Sequence, residues 1–373
     1  MNKITSIQLF KNIKALVDQS KQELYAVINV TLTETYFHIG RLIVEFEQQG
    51  SNRAGYAKET LIKLSQKLTP ELGRGFSVDN LENMRKFYLL YKDDYLKYIN
   101  KNKKSEPVAR KLESTSKSEA VPRKSSTNQK SEALPRKLAL SPFKLSWTNY
   151  VLLLKIENPI ERKFYEIEAT SENWSSRELQ RQFESALFER LALSRDKNKV
   201  KQLGKKGHIV ETPADAIKDD YILEFLGYDE KDFYSENDLE NAIINKLEQF
   251  LLELGKGFLF VERQKRIKMD GDDYKIDLVF YHRTLRCFVL IDLKIGTLQH
   301  KDLGQMQMYV NYFDEELKAE EESKTIGIIL CKSKKESTIK YTLGKDNKQI
   351  FASKYKMFFP EKQILKLLQN QKV

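Results

Sequence analysis

The stretch KIDLVFYHRTLRCFVLIDLKIGTLQHKDLGQMQMY, residues 275–309, decides the fold. Residues 274–281 are rich in β-branched and aromatic side chains and read as a strand, His282, Arg283 and Thr284 turn the chain, and a second apolar run over 287–291 ends in Asp292, Leu293 and Lys294. If the two runs pair as a hairpin, Asp277 and Asp292 fall near the same end of the sheet. The side-chain period of two then puts Asp292 and Lys294 on one face and Leu293 on the other. Two carboxylates, a lysine and the Leu293 carbonyl converge. Hard oxygen ligands of this kind suit Mg²⁺ or Mn²⁺, which keep several waters and take one or two carboxylates together with substrate phosphate oxygens. A neighbouring ammonium can orient water or steady charge growing on a phosphate. An Asp–Lys pair can also be structural, but two like charges buried together are costly unless a cation is present, which favours the metal reading.

The D-(x14)-D-x-K spacing of Asp277, Asp292 and Lys294 resembles the PD-(D/E)XK nuclease signature, with Ile276 standing where the name has proline. Gln305 and Tyr309 downstream are similar to the Q-x-x-x-Y element of RecB-like members. An acid-x-lysine motif alone is weak, whereas this ordered set is specific. With FLLELGKGFLFVERQ upstream and YHRTLRCFVLIDLK across the core, the chain resembles YhcG-type proteins, a bacterial PD-(D/E)XK family, over most of its length outside the linker described below. The second acid is aspartate where glutamate is the more usual residue.

The resemblance implies an α+β multidomain chain: an all-α, helix-turn-helix-like N-terminal region, then a restriction-endonuclease-like αβββαβ core with a mixed central sheet. It implies a Mg²⁺- or Mn²⁺-dependent endonuclease acting on DNA. Catalysis would rest on Asp277, Asp292, Lys294, Gln305 and Tyr309, and the metal on Asp277, Asp292, the Leu293 carbonyl and a helix-borne acid, Glu240. Glu240 borders the apolar stripe of a helix expected over 236–254 and capped by Ser235. A first-turn acid that only favours the helix dipole is the competing reading, and it fits Glu236 as well. Gln305 and Tyr309 stand four apart, on one helix face, where they can hold the scissile phosphate or orient Lys294. The alternative function is a non-catalytic DNA-binding adaptor on a nuclease scaffold inside a restriction or defence assembly. A homodimer, or partner proteins of such an assembly, stays open.

A length of 373 residues allows two or three domains. With 40% hydrophobic residues and a mean hydropathy of −0.56, the chain is polar. No apolar run approaches the roughly 18 residues of a membrane span, and MNKITSIQLF lacks a signal-peptide core. The expected location is the cytoplasm, with no membrane partner. A net charge of +11 and a pI near 9.2 suggest a polyanionic partner. Yet residues 101–137 hold eleven Lys and Arg against four Glu, so one segment carries most of the excess. Cys287 and Cys331 fall in expected core strands and read as buried thiols.

In chain order, residues 4–48 show helical spacing and a second helix is expected over 58–72. A Gly73-Arg74-Gly75-Phe76 turn follows, then a helix capped by Ser77 and running to about residue 91. Helix, short glycine turn, helix is the helix-turn-helix outline. In that reading Asn80, Asn83 and Lys86 face DNA, with Arg74 and Arg85 on phosphates. A plain helical hairpin with a solvated polar face is the competing account. Residues 101–140 repeat with a period of 13 (KSEPVARKLESTS, KSEAVPRKSSTNQ, KSEALPRKLALS) and read as a disordered basic tether between a helical, DNA-binding region over 1–100 and its helical continuation over 141–205. Within that continuation, Ser175 and Glu178 have capping-box spacing, and 197–207 reads as a basic loop.

The nuclease-like domain is expected over 221–373. Its strands are expected at 258–265, 274–281, 287–294 and 325–331, with a hairpin turn at 270–272 and a helix over 301–322. Two more strands are expected near 337–343 and 349–353, before a last helix over 361–368. His282 reads as a turn histidine on Tyr281 or Phe280, and Glu262 as a surface partner of Arg263.

Overall fold

The computed structural model describes residues 6–49, 54–103, 141–193, 197–228, 235–269, 271–344 and 346–360. The thirteen-residue repeat, Asp270 of the expected hairpin turn and the expected last helix lie outside the described residues. The chain forms two compact units, one of residues 1–162 with 173–179 and one of 163–172 with 180–373. The helices over 141–205 are therefore shared between them.

In the first unit, α1 (Ser6–Gln49) packs against α3 (Val78–Lys103), with α2 (Ala54–Leu72) and a 3₁₀ turn (Arg74–Phe76) between them in sequence, and α4 (Trp147–Leu153) follows. Close approach of α1 to α3 requires Gly40, where a Cβ would overlap the Met84 carbonyl. Aromatic rings fill the core: Phe87 meets Phe37, Tyr91, Phe143, Trp147 and Tyr150. Ser77 caps α3 by accepting from Asn80 N at 3.3 Å, and Ser175 accepts from Glu178 N at 3.2 Å.

The second unit takes in most of α5 (Pro159–Ser171) and of α6 (Ser176–Glu184), then α7 (Leu187–Leu193), α8 (Lys197–Lys206) and the single turn α9 (Pro213–Ala216). The basic run expected as a loop is thus helix α8: Leu203, 1% exposed, anchors an otherwise charged segment. Strand β1 (Asp220–Ile222) precedes α10 (Glu236–Asn245) and α11 (Leu247–Leu254). The one long helix expected over 236–254 breaks at Lys246, which leaves helical geometry at φ −122°, ψ 33°. Then come β2 (Phe258–Met269), β3 (Asp272–His282), β4 (Cys287–Thr297), α12 (His300–Tyr312) with a π-helical extension (Phe313–Leu317), β5 (Ile326–Ser333), α13 (Glu336–Leu343) and β6 (Ile350–Lys356). Residues 337–343 therefore form a helix where a strand was expected. Their β-branched residues suggested pairing, but the sheet position beside β5 is taken by β6.

The six strands lie in the order β1-β6-β5-β4-β3-β2. β2, β3 and β4 are antiparallel neighbours, while β4, β5, β6 and β1 run parallel. The sheet is mixed and the fold α+β, with the αβββαβ order from α10 to β5. β4 and β5 are buried on both faces, which accounts for their unbroken apolar runs. Val289, Ile291 and Leu293 join the core that also holds Leu239, Ile243 and Phe250 of α10 and α11. Leu290 and Ile329 join the opposite core with Leu303, Met306, Tyr309 and Val310 of α12. Gly327 lets α12 sit down on β5, since a Cβ there would meet Met306 Cγ at 2.5 Å. Cys287 and Cys331 are buried free thiols.

A buried ionic cluster ties α11 to the elements before it. Glu253 is 0% exposed. Arg190 Nη1 lies 2.8 Å from Glu253 Oε1 and Arg181 Nη2 3.2 Å from Oε2. Ile222 N donates to Oε1 at 3.0 Å, and Lys218 Nζ stands 3.7 Å away. Burial opposes the charge of Glu253, but Arg190, Lys218 and Arg181 outweigh it and hold the carboxyl down at about 2.

Candidate active site

Alternation along β4 gives Leu293 to one core and sends Asp292 and Lys294 out on the other face. Asp292 is 4% exposed, and its Oδ2 lies 2.8 Å from Lys294 Nζ. Lys294 Nζ also reaches Glu236 Oε2, at the first position of α10, at 3.3 Å. The lysine is thus fixed between two acids from different elements. Burial works against its charge, but Asp292 and then Glu236 and Asp277 hold its pKa above the ordinary lysine range.

Asp277 arrives from β3. Leu278 pairs with Ile291, so one step further out Asp277 stands opposite Asp292, and there the β3–β4 ladder stops. In its place Asp277 Oδ2 accepts a hydrogen bond from the backbone N–H of Leu293 at 2.8 Å. N–H and C=O of one strand residue leave on the same side, so the Leu293 carbonyl faces the Asp277 side of β4. Burial and the nearby Asp292 push the Asp277 carboxyl up to about 7, against the pull of the Leu293 N–H and Lys294. Burial likewise raises Asp292, against Lys294.

These donors fit a hard divalent cation. Two carboxylates that burial makes hard to ionise, one of them also opposed by the other, form the environment a cation relieves. In each the protein partner sits on Oδ2, Leu293 N–H for Asp277 and Lys294 for Asp292, which leaves Oδ1 to face the site. Among the described residues no three His, Cys, Asp or Glu side chains close on one point. Asp277, Asp292 and the Leu293 carbonyl would therefore be the protein's share, with water completing the sphere.

Glu240, 2% exposed, stands near enough to raise Asp277 further. Its own oxygens are held elsewhere: Oε2 accepts from Gln264 Nε2 at 2.7 Å, and Oε1 lies 3.2 Å from Arg263 Nε. Gln264 also donates to Asn237 Oδ1 at 3.1 Å. It does so from a left-handed backbone, φ 53°, in the middle of β2, a conformation rare for a residue with a side chain. Glu262 pairs with Lys265 at 3.0 Å, leaving Arg263 to Glu240. Sequence reasoning missed Glu236, Arg263 and Gln264. The available signal was the spacing of Glu236 and Glu240, four apart and so on one helix face.

On α12, Tyr309 is 0% exposed. Its hydroxyl donates to the Lys275 carbonyl at 3.0 Å and accepts from Gln305 Nε2 at 2.8 Å. Burial and Asp292 raise its pKa. Lys294 is thus oriented by Asp292 and Glu236, while Gln305 and Tyr309 secure β3 just before Asp277. Gln305, Lys294, Glu236, Lys301, Gln299 and Tyr274 line a cleft of about 780 Å³ with others. His282 is buried and accepts from Leu285 N at 3.2 Å, with its ring edge-on to Phe258 and not stacked on Tyr281 or Phe280.

In the first unit, Asn80 uses both ends of its amide. Nδ2 donates to the Gly75 carbonyl at 2.5 Å, and Oδ1 accepts from Trp147 Nε1 at 2.8 Å. Arg85 pairs with Glu47 at 2.7 Å and Lys86 with Glu82 at 3.6 Å. Arg74 lies in the 3₁₀ turn and is exposed, and Asn83 is half-buried on α3.

Residues 214–371 match the family described as the YhcG PDDEXK nuclease domain, and residues 12–190 match the DUF1016 N-terminal domain. A protein of Escherichia coli strain K12, named "Putative nuclease YhcG", is 37% identical over 358 residues, covering 96% of this chain and 92% of that protein. The chain belongs to the YhcG nuclease family. Glu236, Glu240, Asp277, Asp292 and Lys294 all lie inside the stretch that matches the YhcG nuclease domain. Among solved structures, a repair endonuclease from Pyrococcus abyssi is 19% identical over 35% of this YhcG-family chain and 49% of that one, with a TM-score of 0.25. A complex of EndoMS with double-stranded DNA gives 18% identity, 32% and 45% coverage and the same TM-score of 0.25. The overlap spans about half of either solved chain and bears on neither substrate nor mechanism.

Proposed function

We propose that the chain is a Mg²⁺- or Mn²⁺-dependent endonuclease that hydrolyses phosphodiester bonds in DNA. The observation that supports this reading most is the meeting of Asp277 from β3 with Asp292 and Lys294 from β4 at the point where the β3–β4 ladder ends. Bound by Asp277, Asp292 and the Leu293 carbonyl, the cation would supply Lewis-acid polarisation of a phosphoryl oxygen and acidify its water. Lys294, kept protonated by its acidic neighbours, orients the attacking water or steadies negative charge on the phosphate. Glu240, with both oxygens held by Gln264 and Arg263, adds to the negative field that makes cation uptake favourable. Gln305, on the wall of the cleft, is positioned to meet a substrate phosphate, while Tyr309 holds β3 in place.

Arg74, Asn83 and Lys86 of the first unit belong to the same reading as contacts that recruit DNA, Lys86 from an exposed pair with Glu82, whereas Asn80 and Arg85 are held by Trp147, Gly75 and Glu47 within that unit. The setting, whether recombination, repair or defence against mobile elements in the cytoplasm, follows from which DNA is cut. The test is incubation of the purified chain with supercoiled plasmid and branched DNA in Mg²⁺, Mn²⁺ or EDTA, beside Asp277→Ala and Lys294→Ala. Metal-dependent cutting that both variants lose supports the endonuclease. Binding without metal-dependent cutting on any substrate supports the adaptor reading instead.

A further inference from the structure

β3 pairs with β4 only from Leu278 to His282, whereas its pairing with β2 continues to Asp272 and Met269. The two strands therefore run past β4 as a two-stranded ribbon. Alternation buries one side of it: Ile267 and Ile276 are 2% and 0% exposed, and Met269 and Tyr274 pack on the same core. The other side places Arg266 directly opposite Lys275, and both are exposed. Neighbouring charges are matched, Lys265 with Glu262 at 3.0 Å and Lys268 with Asp273 at 4.0 Å. Arg266 and Lys275 have no such partner among the described residues.

Like charges facing each other across a strand pair destabilise it. Guarding a sheet edge against aggregation asks for charge along the strand, not for two cations set against one another. The arrangement is relieved by an anion placed between them. Its position says which anion: Lys275 lies two residues, about 7 Å, from Asp277 along β3, roughly one step between neighbouring phosphates on a nucleic-acid strand, whose charges repeat along the backbone. The Lys275 backbone is moreover held from below, its carbonyl accepting from Tyr309.

We propose that Arg266 and Lys275 form a phosphate clamp that takes the backbone of the substrate nucleic acid about one nucleotide from the bond to be cut. Arg266 can grip a phosphate through two N–H groups and Lys275 acts as a point charge. Such contacts fix where the strand lies and read no bases. The clamp rests on the nuclease reading above.

The test is binding of a fluorescein-labelled DNA duplex, and of one of its single strands, by the full chain in EDTA, followed by anisotropy over a range of salt concentrations. Arg266→Ala and Lys275→Ala should each weaken binding alike on unrelated sequences and lower the slope of log affinity against log salt by about 1. Arg266→Glu should weaken binding further while raising the thermal midpoint of the free protein, because it turns the facing pair attractive. A merely structural arginine does not give opposite signs in the two measurements. Wild-type binding with an unchanged slope in the alanine variants overturns the clamp and leaves the nuclease reading standing, as does a lowered midpoint in Arg266→Glu. No binding of either DNA by the wild type overturns both.

Discussion

The carboxylate of Asp277 accepts a hydrogen bond from the backbone N–H of Leu293 at 2.8 Å, one residue from each of the two side chains with which it shares the site. The contact ends the β3–β4 ladder with a side chain where a backbone carbonyl would continue it. It also draws an acid of one strand to the acid and lysine of the next.

Asp277→Asn should stabilise the metal-free protein at neutral and alkaline pH. The Asp277 carboxyl is held at about 7 in the folded chain, above the roughly 3.9 of an unfolded aspartate. Between those values the folded state binds the extra proton, so stability falls as pH rises through the window. Thermal midpoints in EDTA from pH 4 to 8 should fall for the wild type and flatten for the variant. Equal pH profiles would contradict the assignment.

Lys294→Ala should lower both cleavage and stability. The first follows from loss of a cation near the reacting phosphate, of the order of 10²–10³ in rate. The second follows because Asp292, 4% exposed, loses the 2.8 Å partner that offsets the cost of burying its carboxylate. Mg²⁺ should restore the midpoint of this variant more than that of the wild type, while leaving its cleavage impaired. Differential scanning calorimetry with and without Mg²⁺ reads the difference.

The hairpin, the strands that carry Asp277 and Asp292, and the core order were legible because alternation and apolar runs are local signals. So were the caps at Ser77, Ser175 and Ser235. What could not be read depends on distant partners. Glu236 looks like a helix-dipole acid until Lys294, 58 residues away, is placed beside it. The left-handed turn of Gln264 has no marker, since glutamine is not a residue that favours it. Residues 337–343 carried strand-like propensity that tertiary context overrode, because β6 fills the place beside β5. The basic helix α8 looked like a loop because a single buried leucine is a faint periodic signal.

Glu253→Gln should be among the most destabilising substitutions in the second unit, by about 3–5 kcal/mol at pH 7, because it leaves Arg190, Arg181 and Lys218 around a neutral group. The Glu253 carboxyl is held at about 2 in the folded chain. Its stabilisation is therefore complete above the unfolded value near 4.3 and disappears as pH falls through about 2. Urea unfolding at pH 7 and pH 3 should show a smaller gap between wild type and variant at the lower pH.

Tyr309→Phe removes a donor to the Lys275 carbonyl and an acceptor for Gln305. It should destabilise by about 1–3 kcal/mol, as expected when the hydroxyl of a buried tyrosine and the two hydrogen bonds it makes are removed. Cleavage should fall with little change in DNA affinity, since the hydroxyl is occupied inside the protein. Chemical denaturation paired with single-turnover cleavage separates the two effects.

Mn²⁺ binding measured by electron paramagnetic resonance, on the wild type, Asp277→Asn and Asp292→Asn at pH 7.5, tests the central claim most directly. One shared site predicts uptake by the wild type and a loss of at least about tenfold in affinity, some 1.4 kcal/mol, in each single variant. Mn²⁺ bound equally well after either substitution would show that the two carboxylates do not hold a cation between them.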